Sequence, residues 1–588
     1  MSGFKEVSHK VPCCVLGGGM AGIAAAVAAA RRGVRVVLMQ DRPVLGGNAS
    51  SECRVHVGGA DVHNKRKNMR ETGILEEIRL DNLRVNPNRS YSMWDLVLYE
   101  TVMREPHITL LLNCSCFDAD RDGARIASVT GWQSTTQTRH RVEADIFIDC
   151  SGDSVLAPLT GADVRMGREA RHEHGESIAP EQADACTMGM TCLFQACRHD
   201  TPQPFSPPPW AEVFDSCEAL PYGAGGHRWW QMGYWWIELG GEDHSIEDTE
   251  SLRDRLLALT LGVWDHVKNR CGHSEEAENW ALEWLQFLPG KRESRRYLGP
   301  HILTQNDVES EGRFEDRIAY GGWSMDDHHP SGFRAVQIGA PATIFHRAPS
   351  PYGIPYRCLH SRNVPNLMFA GRNISATHAA LSSTRVMGTC CALGQAAGTA
   401  AALAVRRGIE PAEVGAHIAE LQQQLLEDDA YIPWLTQEMP ARTRQARLEA
   451  SQGDPEPVRD GIQRPVGDEA HAWECAEGDW IALHFGELVA GLEVGLILDS
   501  GLDQNIAMSH HEGLKSGQLS APPDVMPRAF RLEGRTGDDW QTLAHVEDNH
   551  RRQVRFAVEQ AVDSVRFVLE KTWGGAPSRV YAFVARGA

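Results

Sequence analysis

The apolar positions of the chain fall into distinct textures. Val11-Pro-Cys-Cys-Val-Leu16 is an apolar run of strand length, and Ile23 to Arg32 is alanine-rich with helix-forming composition throughout. Gly33 stops that helix, and Val34 to Met39 is rich in β-branched residues, which predicts a second strand. Strand, glycine turn, helix and strand within residues 11–39 make a βαβ unit, and so short a crossover places its strands parallel. Between about 166 and 345 the texture changes. Tryptophans gather at Trp210, Trp229, Trp230, Trp235, Trp236, Trp264, Trp280 and Trp284, and proline breaks the chain from Pro202 to Pro209. From Asn366 to Gly408 the glycine-and-alanine texture returns. A polar, charge-rich stretch follows, and beyond it short apolar runs alternate with turn signals: Trp480-Ile-Ala-Leu, Val494-Gly-Leu-Ile-Leu, Val565-Arg-Phe-Val-Leu and Val580-Tyr-Ala-Phe-Val. That spacing predicts an all-β sandwich.

Composition narrows the picture. At 588 residues the chain exceeds one core and predicts about three or four units. A formal net charge of −20 repels phosphate backbones and anionic membranes, so nucleic acid is not an expected partner. No uninterrupted run of ~18 apolar residues stands out, so no membrane span is expected. Met1 to Val11 is polar, with no signal-peptide pattern, and a cytoplasmic location is expected. The fifteen cysteines are scattered; Cys13-Cys14 and Cys390-Cys391 are adjacent, and Cys114-x-Cys116 has no partner pair nearby. The expectation is buried free thiols and no metal site.

Gly17-x-Gly19-x-x-Gly22 lies directly between the first strand and the first helix. The first glycine permits a tight turn, the second lets a pyrophosphate approach the backbone, and the third lets helix and strand pack closely; the helix N-terminus supplies the field for the anion. An acidic residue is expected seven positions after Gly33 to hold a ribose. Gln40 stands there, with Asp41 next, so either side chain is a candidate contact.

Further segments carry a family likeness. Leu45-Gly-Gly-Asn-Ala-Ser-Ser-Glu52, Ala144-Asp-Ile-Phe-Ile-Asp-Cys-Ser-Gly-Asp153, Gly290-Lys-Arg-Glu-Ser-Arg-Arg296, Tyr320-Gly-Gly-Trp-Ser-Met-Asp326, Asn366-Leu-Met-Phe-Ala-Gly-Arg372 and Gly394-Gln-Ala-Ala-Gly398 are spread over residues 11–410. Together they resemble the FAD-dependent oxidoreductases of the glutathione-reductase-like superfamily, and more narrowly a bacterial group often found near carbohydrate-degrading genes. The resemblance implies FAD as cofactor. It places Gly46, Gly47 and Asn48 near the ribityl chain or ring, Gly152 and Asp153 at a turn returning to the cofactor, and Gly371, Arg372, Gly394, Ala397 and Gly398 in the closing strand and helix. The expected architecture is an α/β Rossmann-type FAD-binding domain with an inserted α+β cap domain, plus the C-terminal sandwich. Its divisions are 1–165 and 346–440 for the FAD-binding domain, 166–345 for the cap, 441–468 for a linker and 469–588 for the sandwich. Phe530-Arg-Leu-Glu-Gly-Arg and Val565-Arg-Phe-Val-Leu-Glu are similar to galactose-binding-like sandwiches.

Hydride transfer from a carbon usually needs a base for the departing proton, and histidine is the usual candidate near neutral pH. His56, the pair His328-His329 and His378 are the candidates; His56 and His378 rank first because their segments flank cofactor motifs. Arg54, Arg295, Arg296 and Arg385 can fix an anionic substrate, stabilise the charge of a reduced flavin or form structural salt bridges, and Arg385 joins His378 and His56 as a catalytic candidate. Lys291-Arg292-Glu293 contains its own counter-charge, which favours a structural role. The run His227 to Trp236 can stack on sugar faces, but core packing is the more frequent use of such residues. The expected activity is hydride removal from a small polar substrate, with a sugar or glycoside hydroxyl foremost. The alternatives are a flavin-dependent reductase of a C=C bond and a glycan-binding scaffold with structural FAD; a nucleic-acid-modifying flavoprotein conflicts with the acidic balance. A homo-oligomer is compatible with all of these.

Overall fold

A computed structural model describes residues 3–515 and 517–587. Strand β1 (Lys5–Leu16) is followed by helix α1 (Met20–Arg31), β2 (Val36–Met39), β3 (Ile108–Leu111), β4 (Cys114–Asp122), β5 (Arg125–Gln133) and β6 (Thr138–Asp149). The seventh strand of the sheet, β7 (Leu367–Phe369), arrives more than 200 residues later and pairs with β6. The order is β3-β2-β1-β6-β5-β4, and β1, β2, β3, β6 and β7 run parallel where they pair; β4 and β5 form an antiparallel flap on β6. The inner strands are buried on both faces, which accounts for the unbroken apolar run at Cys13 to Leu16.

Helix α2 (His378–Thr384) leads into α3 (Met387–Arg407), which lies against α1. The contact is set by small residues. A Cβ on Gly394 would lie 2.0 Å from the Ala21 carbonyl oxygen, and one on Gly398 would lie 2.1 Å from that of Ala25. By length and composition α3 could cross a membrane, contrary to the apolar-run expectation, but 89% of its apolar window is buried inside the fold. It is the central helix of the core.

The cap has its own core, built from Met190, Phe194, Tyr234, Trp236, Leu256, Trp264 and Phe333 among others. The expected division at 345 is corrected. Leu303, Val308, Ile318, Ala319 and Met325 bury in the core of α1 and α3, because the strand Arg317–Gly321 pairs with Tyr352–Pro355 beneath α3.

Two antiparallel sheets of five and four strands enclose a second apolar core containing Trp473, Ile481, Phe530, Phe567 and Phe583. The expected linker 441–468 is also corrected. It carries the helix Ala441–Gln445 and the strand Arg447–Ala450, which pairs with Trp480–Val489 at the sheet edge. Its polarity reflects an edge strand with few buried positions. The sandwich docks on the parallel-sheet domain through buried arginines: Arg70 reaches the carbonyls of Ser500, Gly501 and Gln504, Arg464 those of Asn68 and Arg70, and Arg552 the Asp429 carboxylate. From the sandwich, His511 reaches the cap and stacks on Trp229 at 5.0 Å.

Candidate functional site

A cavity of about 740 Å³ opens where β1, β2 and β6 end. Its floor is the glycine turn. Gly17 (φ +93°) admits no side chain, because a Cβ would meet the Cys150 carbonyl oxygen at 2.5 Å. Gly22 sits against the same turn, its missing Cβ 1.8 Å from the Gly17 carbonyl oxygen. A Cβ on Gly19, by contrast, would meet nothing within 4 Å, and Gly19 lines the cavity. No side chain caps α1 and no acidic residue occupies its first turn; the same holds for α3, whose Val386 and Met387 line the cavity too. Two helix N-termini therefore present backbone donors and positive field to one space.

Of the expected cofactor contacts, Gly17, Gly19, Gln40, Asp41, Gly46, Gly47, Asn48, Gly152, Asp153, Gly371 and Arg372 line this cavity. Gln40 is corrected as a ribose contact: its carbonyl accepts from the Gly18 amide at 2.6 Å and its amide donates to the Val44 carbonyl, so it braces the glycine turn, while Asp41 next to it is an acidic side chain on the wall. Gly394, Ala397 and Gly398 are corrected as well. They lie inside α3, buried against α1 and away from the cavity. Asp153 binds Lys291 at 2.7 Å, Arg372 at 2.6 Å and Ser294 at 2.8 Å; against the desolvation that raises it, Arg372 and Lys291 hold its carboxyl far below the usual range. Asn48 donates to the Lys291 carbonyl, so this cluster ties the glycine loops to the cap.

Also lining the cavity, His56 and His63 meet Nε2 to Nε2 at 3.1 Å, with Trp235 edge-on to His56 and Trp323 edge-on to His63. Burial pushes both imidazoles down, His56 well below the ordinary 6.5, so the pair is neutral at neutral pH. Beside it runs a charged chain. His328 Nδ1 meets Glu238 at 2.5 Å, its Nε2 faces Asp326 at 3.4 Å, and Asp326 pairs with Arg385 at 3.3 Å, while Arg292 faces Glu238 at 3.3 Å. Burial raises the Asp326 carboxyl, but His328, Arg385 and Arg292 hold it down to about 2. Among the residues on this wall, His56 Nδ1, Arg292 Nη1, Trp323 Nε1, Asp326 Oδ1 and Arg385 Nε are buried without a hydrogen bond.

His378 is corrected as a base. Its Nδ1 meets Glu293 at 2.8 Å and its Nε2 meets Asp327 at 3.1 Å, away from the cavity wall. Desolvation lowers it, yet Glu293 and Asp327 override that and raise it to about 10, so the ring is an imidazolium with no free lone pair. Arg296 joins the same lattice by pairing with Glu293 and Glu169. Because the folded value exceeds 6.5, this contribution to stability is complete below about pH 6.5 and is lost as pH rises through about 10. His378→Gln is expected to cost about 3 kcal/mol at neutral pH. It is also expected to flatten the decline of the thermal midpoint between neutral and alkaline pH; an unchanged midpoint profile contradicts the lattice.

Arg54 donates to Gln195 and lies 4.5 Å over Trp284, a packing role outside the cavity. The charges of Lys291-Arg292-Glu293 do not neutralise one another: each takes a distant partner, Asp153, Glu238 and His378 respectively. Of the cap tryptophans, Trp235 and Trp236 reach the cavity while Trp264 is core. His63 and Trp323 were missed. His63 arrives on left-handed backbone at Val62, His63 and Asn64 (φ +49°, +54°, +64°), a turn with no periodic signature.

The family model described as FAD dependent oxidoreductase matches residues 12–425. The chain belongs to that family. It is an FAD-dependent oxidoreductase, and the match spans both halves of the sheet and the cap between them. The site fits the cofactor: two uncapped helix N-termini and a side-chain-free glycine turn face one cavity that holds Asp41 at its wall. No curated protein sequence matches the chain. Among solved structures, a geranylgeranyl bacteriochlorophyll reductase-like protein from Thermoplasma acidophilum is 12% identical, covering 72% of this chain and 86% of its own, with a TM-score of 0.34. The family 32 carbohydrate-binding module of Streptococcus pneumoniae EndoD is 10% identical over 26% of this chain and 99% of its own, with a TM-score of 0.19. At those scores neither bears on the reaction.

Proposed function

We propose that this family member oxidises a hydroxyl-bearing substrate, with sugars and glycosides the foremost class, by passing a hydride from the alcohol carbon to FAD. FAD supplies the hydride acceptor. Gly17 and Gly19 with the α1 N-terminus would hold its pyrophosphate, Asp41 its ribose, and Gly46, Gly47, Asn48 and the α3 N-terminus its ring side. Asp153, fixed by Lys291 and Arg372, keeps the loops around it in register.

The observation that carries the substrate class is the cap wall. There Trp235 and Trp236 stand among polar and charged side chains, Arg292, Asp326, His328 and Arg385 with the His56–His63 pair. A wall so rich in polar side chains favours a ligand with several hydroxyls over an apolar one. Aromatic faces beside polar groups suit a sugar ring. The neutral His56–His63 pair takes the hydroxyl proton at the free Nδ1 of His56 as the carbon loses hydride, and the charge passes between the rings through the 3.1 Å Nε2–Nε2 hydrogen bond.

The test is the visible spectrum of the holoenzyme under anaerobic conditions during addition of sugars, glycosides, amino acids and hydroxy acids. Bleaching of the flavin band by a sugar or glycoside is the expected result. Bleaching only by another class overturns the substrate assignment. A flavin that no compound bleaches, but that a reductant charges and an unsaturated compound reoxidises, reverses the proposed direction.

A further inference from the structure

The cap holds a second cluster of chemistry-bearing side chains, separate from the cavity wall. Cys217, His227, His266 and Cys271 each direct one ligand-capable atom to a common point, all within 4.8 Å of one another. Three of the four are buried and Cys217 is half-buried. The sequence expectation of no metal looked for close cysteine pairs; here the ligands stand at Cys217-x9-His227 and His266-x4-Cys271, two pairs 39 residues apart joined only by the fold.

The sulfur–sulfur spacing and two of the sulfur–nitrogen spacings match a tetrahedral ion. Zinc binds thiolate at about 2.3 Å and imidazole at about 2.0–2.1 Å, so tetrahedral ligands should lie about 3.8 Å apart for two sulfurs and about 3.6 Å apart for sulfur and nitrogen. The two Sγ atoms are 3.8 Å apart; Cys217 Sγ lies 3.6 Å from His227 Nε2 and 3.5 Å from His266 Nε2, and His227 Nε2 lies 3.2 Å from Cys271 Sγ. Both sulfurs belong to free cysteines, and 3.8 Å is far beyond a disulfide bond.

The histidines are oriented for ligation. His227 Nδ1 meets the Gly223 carbonyl at 3.0 Å and His266 Nδ1 meets the Phe214 carbonyl at 2.7 Å. A carbonyl only accepts, so each Nδ1 carries the proton and each Nε2 lone pair faces the sulfurs. The His273 amide donates to Cys271 Sγ, the kind of contact that steadies a thiolate. The short π-helical segment His266–Arg270 that ends the helix Thr249–Asp265 turns His266 and Cys271 to one side.

We propose that Cys217, His227, His266 and Cys271 form a closed, four-ligand structural zinc site. Four protein ligands leave no open position, so the ion is not part of the redox chemistry. It pins the loop between Cys217 and His227, which presents Tyr222 to the cavity and runs on into Trp235 and Trp236. Binding releases the two thiol protons to solvent and changes no oxidation state.

The test measures zinc in holoenzyme purified without chelator or metal-affinity steps. About one equivalent per chain is expected. Cys217→Ser/Cys271→Ser is expected to lower it at least tenfold while FAD content stays unchanged. Exchange of the wild-type protein into cobalt gives a reading that needs no variant: tetrahedral thiolate coordination produces intense ligand-field bands at wavelengths beyond the flavin absorption. Wild-type protein that holds no zinc and shows no such bands, a Cys217–Cys271 disulfide in mass spectra, or zinc retained in full by the double variant each overturns the proposal.

Discussion

His56→Phe is expected to slow substrate-driven bleaching of the bound flavin by about 10²–10⁴-fold while leaving FAD content unchanged. Phenylalanine keeps the ring that contacts Trp235 edge-on, so the wall stays packed and only the proton acceptor is lost. His56 and His63 share one hydrogen bond, so His63→Phe is expected to give a similar loss, and the double variant little more than either alone. Their neutrality comes from burial, which pushes both below 6.5. The base form is therefore present in full across neutral pH, and the rate should be flat from about pH 7 upward, falling only on the acid side. Rates like wild type in both single variants would remove the pair from the chemistry. Arg385, with Asp326 and His328, would then be the group to test next.

Much of the frame was legible in the residues because the signals are local. A strand, three glycines and an alanine-rich helix specify β1, α1 and the turn between them, although β1 is completed by its pairing with β6 much later in the chain. The sandwich strands were visible for the same reason. The site was less legible because its parts meet only through tertiary contacts. His378 looked like a base from its neighbours in sequence, yet Glu293 and Asp327, which convert it into a fixed cation, are 85 and 51 residues away. Gly394 and Gly398 had the composition of a cofactor contact; their partner is the backbone of α1. Small residues at a helix crossing and small residues at a ligand look the same until the crossing is known. Lys291-Arg292-Glu293 suggested internal neutralisation, which three separate partners overrule.

Gly22→Ala should leave the chain without flavin. The new Cβ would stand 1.8 Å from the Gly17 carbonyl oxygen, 2.9 Å from its carbon and 3.3 Å from the Cys150 side chain. None of these can yield cheaply. Gly17 is fixed by its hydrogen bond to the Met39 carbonyl, and Cys150 by one to Leu16, both in the parallel sheet. The helix must therefore shift, which breaks the small-residue contact of Ala21 and Ala25 with Gly394 and Gly398. Overpacking of this kind costs about 1–3 kcal/mol, and tenfold in affinity corresponds to about 1.4 kcal/mol. FAD content is expected to fall at least tenfold, with a lower thermal midpoint even for the apoprotein. Gly19→Ala separates the two effects. Its Cβ would meet no protein atom within 4 Å, so the apoprotein should keep its thermal midpoint; the methyl group enters the cavity, so flavin content should still drop. If Gly19→Ala instead binds FAD at full occupancy, the cofactor does not approach the backbone at this turn, and the placement of its pyrophosphate against α1 fails, whatever Gly22→Ala does.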